Sequence, residues 1–351
     1  LPASVAACRI ILDETDAACH AALSRAGDQT LLYISAQKLF EERVDCPVCG
    51  STDVQDIFSK PYVGSEIGDI LRGRYERTGR SPSFDDRFAE KDYVICECKT
   101  CRAYYQRFAP VADLAVEYYS EWISEHGRPQ WPFSEYTHRI NEALVLTSFL
   151  LKHTGKKSPA ELSILDFGVG RGLFALAMRA CGCRVSAIDL STPREDEARR
   201  NGLAIAKHED IPGSEFDFIN TEQVFEHLTH PLDTARHLVQ GLATGGVLKI
   251  SVPYAGWLEK GPLFFDWKAS KYGKGSIMPL HPMEHLNYYR RPSLQIMMRQ
   301  QGCREVQMSA LDELNYAFNW KGARNIAKNL ARPVVRKNFR NYLLFSKGVG
   351  V

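Results

Sequence analysis

The sequence predicts an α/β chain built on a mostly parallel sheet, with a cysteine-rich region ahead of it. Three observations predict this. From residue 161 short apolar strands alternate with helices; a glycine-rich stretch, "LDFGVGRG", joins the first of those strands to the first helix; and two C-x-x-C pairs lie between residues 46 and 101. Alternation on this scale produces parallel strands with helices on both faces.

Taken in order, "LSILDF" is the first strand, "LFALAMRACG" a helix ending on glycine and "CRVSAIDL" the second strand. "PREDEARRNG" is a helix with Pro193 near its start, "LAIA" the third strand and "FDFIN" the fourth. "PLDTARHLVQGL" is a helix and "GGVLKISVP" the fifth strand; after an irregular insertion at about 255–280 come the helix "SLQIMMRQQG", the strand "REVQMSA" and a last strand in "NYLLFSK". Upstream, residues 1–45 read as a helical extension, 46–110 as a cysteine-, glycine- and aromatic-rich region, and 111–160 as a helical connector closed by "TGKKSP". In the connector Ile140, Leu144, Thr147 and Leu151 follow the helical period. "GDILRGRYERTGRSPSFDDRF" reads as a long polar loop. The domain organisation is thus 1–45, 46–110, 111–160 and 161–351.

In "LDFGVGRG", Gly168, Gly170 and Gly172 fall where the backbone turns tightly and approaches a ligand. A dinucleotide fingerprint would place its third glycine at position 173, where Leu173 stands. Asp166 offers a carboxylate just before the loop, and Asp189, at the end of the second strand, lies where an acidic side chain accepts from both ribose hydroxyls.

Composition excludes several classes. The 351 residues suit two or three units, and 44% hydrophobic with 25% charged residues describes a globular chain. Lys and Arg number 44 against 42 Asp and Glu, a formal charge of +2 with no run of five or six like charges, which weakens a nucleic-acid reading. The most basic stretch, Lys321 to Arg340, has the spacing of a solvated helix face. No apolar run is long enough to span a bilayer and no signal-peptide pattern opens the chain, so a cytoplasmic location is expected. The first residue is Leu1, which suggests trimming or processing.

Four motifs in order make the chain resemble the class I S-adenosylmethionine-dependent methyltransferases from about residue 130 onward: "LDFGVGRG", then Asp189, then "FDFINTEQVFEHLTHPLDTARHLVQGLATGGVLKISVPY", then "HPMEHLNYYRRPSLQIMMRQQGC". The resemblance implies a Rossmann-like sheet with an antiparallel last strand and S-adenosyl-L-methionine as cofactor. It implies that Asp166 and the loop Gly168, Val169, Gly170 and Gly172 hold the methionine part of the cofactor. Asp189, with Leu190 beside it, would hold the ribose, Asp210 and Ile211 would reach the adenine, and Thr221 and Glu222 would line the methionine side. Glu226 and His227 would brace a turn.

Methyl transfer from a sulfonium is an in-line displacement, so positioning dominates, and an acceptor hydroxyl or activated carbon also needs a base. His281 and His285 in "HPMEHLNYY" are the base candidates; the alternative is that they organise the loop or contact the cofactor. Pro282 argues against one regular helix presenting both to a metal. The insertion's Trp257, Phe264, Phe265, Trp267 and Tyr272 fit a sugar or another ring-bearing substrate, or else form a hydrophobic lid; Trp122, Trp131 and Tyr136 are candidates to cap the other side.

Of the ten cysteines, Cys46 and Cys49 in "CPVCGS" and Cys98 and Cys101 in "CKTC" have the spacing of a four-cysteine zinc ribbon. Pro47 and Gly50-Ser51 leave no helix for a redox motif, and Cys96 is spare. Such zinc is structural, since four thiolates leave no open position. Some bacterial methyltransferases of sugars and natural products carry a similar "CPxCGS" region, and this resemblance implies the same zinc here. The substrate expected is a small molecule, namely a glycoside, nucleotide sugar or secondary metabolite, methylated on oxygen or carbon. An RNA methyltransferase and a non-catalytic zinc-ribbon interaction protein are the competing readings.

Overall fold

A computed structural model describes residues 38–123, 132–260, 263–271, 273–309 and 342–348. It opens with strand β1 (Phe40–Glu42), followed by β2 (Val54–Pro61), helices α1 (Glu66–Glu76) and α2 (Phe84–Phe88), and strands β3 (Asp92–Cys98), β4 (Tyr104–Gln106) and β5 (Phe108–Pro110). Helix α3 (Ala112–Glu117) runs into a π-helical turn, Tyr118–Trp122, and α4 (Phe133–Thr154) closes the connector. Then come β6 (Ser163–Phe167), α5 (Leu173–Ala180), β7 (Arg184–Ile188), α6 (Thr192–Arg200), β8 (Ala204–Ile205), β9 (Phe216–Glu222), α7 (Pro231–Gln240) and β10 (Leu242–Ser251). The short α8 (Gly256–Lys260), β11 (Asn287–Tyr288), α9 (Arg291–Gln300), β12 (Cys303–Val306) and β13 (Tyr342–Lys347) complete it.

The fold is α/β and Rossmann-like. Seven strands in the order β12-β13-β10-β9-β6-β7-β8 form the central sheet; β10, β9, β6, β7 and β8 are parallel, and β13 runs antiparallel to β10. Each central strand is apolar on both faces, and period-two alternation divides its side chains. Leu165, Ile219, Leu248 and Phe345 join α7 and α9 in one core, while Ile164, Phe218, Val247 and Leu344 join α4 and α5 in the other. The strand order reverses between β6 and β9, so the crevice beyond their carboxyl ends is the position where such sheets bind ligands.

The cysteine-rich region builds a second sheet, β11-β4-β3-β2, whose edge strand β11 comes from the far side of the central sheet in sequence. A third core fills the space beneath it with Tyr62, Tyr75, Phe84, Phe88 and Tyr93.

Several expectations change here. The stretch read as a long loop contains α1 and α2: Ser65 and Ser83 accept from the first-turn amides, and Ile67, Leu71 and Tyr75 bury one helical face. Trp122 does not cap the crevice, because it is fully buried with Tyr75 4.9 Å and Phe88 6.0 Å away, ring to ring. Phe265 and Trp267 of the insertion pack on Phe58 in that same core. The helical reading of residues 1–45 falls largely on residues 1–37, outside those described; Phe40–Glu42 within it is a strand pairing with β5. Trp131, Tyr272, Cys8, Cys19 and the basic stretch at 321–340 also lie outside the described residues. No described helix is long and apolar enough to cross a membrane.

Candidate functional site

The glycine loop turns back on the end of β7. Gly168 and Val169 donate to the Ile188 carbonyl at 2.9 and 3.0 Å, and Gly170 donates to Asp189 Oδ2 at 2.8 Å. Gly168, Gly170 and Gly172 all have left-handed backbones, and a Cβ on Gly168 would meet Val224 at 2.5 Å, so the tight path depends on glycine there. Asp189 Oδ1 accepts from the Ser191 amide at 2.9 Å, and Arg194 stands 3.9 Å from the same oxygen. A carboxylate has about four lone-pair sites, so these contacts leave it able to accept further hydroxyl donors. Leu190, next to it, is 71% exposed, an apolar surface at the crevice edge.

The other residues expected at the cofactor divide into two groups. Glu222 and Asp210 reach the surface layer, at the end of β9 and in the turn after β8. Asp166, Val169, Ile211 and Thr221 lie beneath it. Ile211 is fully buried against Gly241 in the core and its amide bonds to His208, so it does not offer its side chain to a bound ring. Thr221 is fully buried and donates to the Lys249 carbonyl at 2.8 Å. Asp166 accepts from Asn220 Nδ2 at 2.7 Å, and burial pushes its carboxyl up to about 7.

Beneath Glu222 lies a charged network that sequence reasoning missed. Lys249, near the carboxyl end of β10, is 1% exposed; its Nζ bonds Glu142 Oε1 at 2.6 Å and Glu222 Oε2 at 2.8 Å. Arg139 bonds Glu135 at 3.0 Å, Glu142 at 2.9 Å and Glu222 at 3.4 Å. Burial alone would raise the Glu222 carboxyl, but Lys249 and Arg139 outweigh it and hold it at about 2. Helix α4 therefore delivers Arg139, which bonds the acid at the end of β9 directly, and Glu142, which anchors the Lys249 that bonds it from β10. Glu135, Arg139 and Glu142 are spaced along one helix face, which is the signal available in the sequence.

On the opposite wall the "HPMEHLNYY" segment forms turns, as Pro282 requires. His281 is buried, donating Nδ1 to the Pro282 carbonyl at 3.0 Å with Glu284 Oε2 at 3.4 Å, and burial holds it near 4. His285 is partly buried and gives its Nδ1 hydrogen to the Met278 carbonyl, which leaves Nε2 as a lone pair. The His227 ring lies 4.9 Å from that of His285, centroid to centroid, and Glu226, which precedes His227, is fully buried. Burial raises the Glu226 carboxyl well above its ordinary range.

The cysteine-rich region, through Arg74, and the connector, through Tyr118 and Tyr119, contribute to this wall. Tyr118 Oη donates to Glu284 Oε2 at 3.2 Å and accepts from Arg74 at 2.9 Å, and Tyr119 Oη lies 2.9 Å from His227 Nδ1. Both tyrosines sit on the π-helical turn, a distortion common at functional sites. Arg194, in the first turn of α6, faces Asp189 with its guanidinium.

Away from the crevice, Cys46, Cys49, Cys98 and Cys101 bring four buried sulfurs within 4.8 Å of one another. Cys46 and Cys101 are 3.6 Å apart, as are Cys49 and Cys98, close to the ~3.8 Å between sulfurs around a tetrahedral ion with bonds of about 2.3 Å. The two knuckles match: Gly50 donates to the Cys46 carbonyl at 2.8 Å and Arg102 to that of Cys98 at 2.9 Å, each with a left-handed backbone. Cys96 is outside the set, 3.1 Å from Asp56. Ser293 and Gln300 of α9 bond the carbonyls of Cys101 and Cys49 at 2.8 and 2.9 Å, docking the cluster onto the central fold.

A family model described as a methyltransferase domain matches residues 105–308, more than half of the chain. The ubiquinone biosynthesis O-methyltransferases of Xanthomonas campestris pv. campestris strains B100 and 8004 are each 34% identical over 100 residues, 25% of this chain and 41% of theirs. The chain thus spans about two fifths of the length of these curated relatives. Among solved structures, it is similar to an amino pentose methyltransferase from Micromonospora echinaspora (12% identity, TM-score 0.37, 64% of this chain and 100% of that one). It is also similar to the 1,6-didemethyltoxoflavin-N1-methyltransferase of Burkholderia thailandensis (17% identity, TM-score 0.34, 63% and 93%).

Proposed function

The chain belongs to the methyltransferase-domain family, and on that premise we propose that it transfers a methyl group from S-adenosylmethionine to oxygen or carbon of a small molecule, a sugar (free or nucleotide-linked) or a secondary metabolite. The observation that carries this reading is the glycine loop at the carboxyl end of β6, its Gly170 amide held by the Asp189 carboxylate that follows β7.

The glycine loop fits the cofactor because a Cβ at Gly168 would collide with Val224 and the Gly170 amide is tied to Asp189. Asp189 would take the ribose hydroxyls, Leu190 and Asp210 would flank the adenine, and Glu222, kept ionised by Lys249 and Arg139, would meet the cationic methionine end. Bound there, S-adenosylmethionine supplies an electrophilic methyl carbon on a sulfonium. His285 would remove the acceptor proton through Nε2, the nitrogen its bond to Met278 leaves free. Glu284, held by Tyr118 and Arg74, would orient the acceptor. His281, buried beneath, supports the loop in this reading.

The four cysteines fit zinc by donor type and spacing, with a structural role as a closed site. Turnover of radiolabelled S-adenosylmethionine against a panel of nucleotide sugars, glycosides and phenolic metabolites tests the proposal: labelling of a panel member supports it, and labelling of RNA alone overturns it.

A further inference from the structure

Glu226, His227 and His285 converge: one ligand atom from each lies within 4.8 Å of the others. Glu226 is fully buried, and among the described residues neither carboxylate oxygen has a hydrogen-bond partner. Buried carboxylates normally meet a donor or a cation, so an orphaned one calls for a ligand.

The imidazoles are set for that ligand. His227 Nδ1 lies 2.7 Å from the Glu284 carbonyl, and His285 Nδ1 contacts the Met278 carbonyl. A carbonyl only accepts, so both Nδ1 atoms carry the hydrogen and both Nε2 atoms are lone pairs. Tyr119 Oη, 2.9 Å from His227 Nδ1, shares that hydrogen. Tethering Nδ1–H to a backbone carbonyl is how proteins aim Nε2 at a metal. His227 Nε2 stands 3.7 Å from Glu226 Oε1, and a small contraction would bring both onto one ion. Both histidine rings are partly exposed, which leaves a way in from the crevice.

We propose that Glu226, His227 and His285 form a second metal site, of two imidazoles and one carboxylate, for a divalent transition ion such as Zn2+, Co2+ or Ni2+. Occupancy excludes proton abstraction by His285, because both use the same Nε2 lone pair. The second statement rests on the reading of His285 as the base; the first does not. The donor set differs from the four thiolates, so the two sites have separate spectra: thiolate-bound Co2+ absorbs intensely by charge transfer, whereas nitrogen and oxygen ligands give only weak visible bands.

The test titrates Co2+ into the full chain already loaded with one equivalent of zinc, following absorbance and equilibrium dialysis. One further equivalent with weak visible bands is expected, at least tenfold weaker in His227→Ala and in Glu226→Gln. No binding beyond the zinc-loaded cluster, or binding unchanged in both variants, would overturn the site. Glu226 is buried and its variant is exposed to misfolding, so the partly exposed His227 position decides. Methyl transfer should fall in proportion to Co2+ occupancy; full activity at full occupancy would refute the exclusion. His285→Gln with undiminished turnover would instead refute the base reading and leave the metal site standing.

Discussion

The groups on the glycine-loop wall of the crevice come from short runs of consecutive residues, Gly168–Gly172 and Asp189–Leu190, held mainly by backbone hydrogen bonds. The histidine wall is assembled from side chains far apart in sequence: Arg74 from the cysteine-rich region and Tyr118 and Tyr119 from the connector meet His227, Glu284 and His285 from the methyltransferase sheet's later segments. A wall made of backbone tolerates side-chain drift but not a change of glycine. One made of converging side chains depends on two halves staying docked. Damage to the first should therefore appear in cofactor affinity, and damage to the second in turnover.

The largest effect should come from neither wall. Cys98→Ser or Cys101→Ser removes a ligand of the cluster that docks on α9, and the zinc-loaded protein should lose its metal and more than about 4 kcal/mol of stability. Cys96→Ser should keep the metal; mass-spectrometric metal counting and thermal unfolding read both. Next, His285→Gln should lower turnover on the order of a hundredfold or more while S-adenosylmethionine affinity, read by calorimetry, stays as it was. Gly168→Ala should give the opposite pattern, weakening cofactor binding roughly tenfold or more because a Cβ there collides with Val224. If both variants changed affinity and turnover alike, the division between the walls would be wrong.

A pH effect belongs to Asp166. Its folded-state carboxyl is raised above the ordinary value of 3.8 to about 7, so the unfolded chain gives up its proton first as pH rises. This group's contribution to stability is present below the ordinary aspartate range and is lost as pH climbs through about 7. Asp166→Asn, which keeps the acceptor for Asn220, should flatten that decline in denaturant titrations at pH 4 to 8. The smallest effect is expected at Arg102. Its left-handed backbone occupies the place Gly50 holds in the other knuckle, and Arg102→Gly relieves strain but gives up an ion pair from its exposed guanidinium to the buried Glu97 at 3.1 Å, where Lys99 also bonds that carboxylate. The net change should be within about 1 kcal/mol, on the stabilising side, by thermal melt.

The same contrast explains what the sequence made legible. The central sheet, the glycine loop and Asp189 follow from local patterns: alternation, a tight turn and an acid at the next strand's end. The cysteine pairs were legible by spacing alone. Ser65 followed by Ile67, Leu71 and Tyr75 at intervals of four was a readable helix signal, but the arginines and glycines around it disguised α1 as a loop. Tyr118, Tyr119 and Arg74 left no local mark, because their role appears only when β4 pairs with β11 and carries the two halves together. Ile211 and Thr221 were correctly placed at strand ends and loops, but their side chains turned inward, a choice set by core packing rather than position in the motif.

The pairing of β4 with β11 also has a consequence for how the chain is made. Gln106 bonds the carbonyl of His281, 175 residues on, and the second sheet has no fourth strand until residues 287 and 288 have left the ribosome. During synthesis β4 is an open edge carrying Tyr104 and Tyr105, the kind of surface that recruits foreign strands. A fragment ending before β11 would keep that edge for good. Expressed alone, the cysteine-rich region should therefore be prone to self-association even when fully loaded with metal.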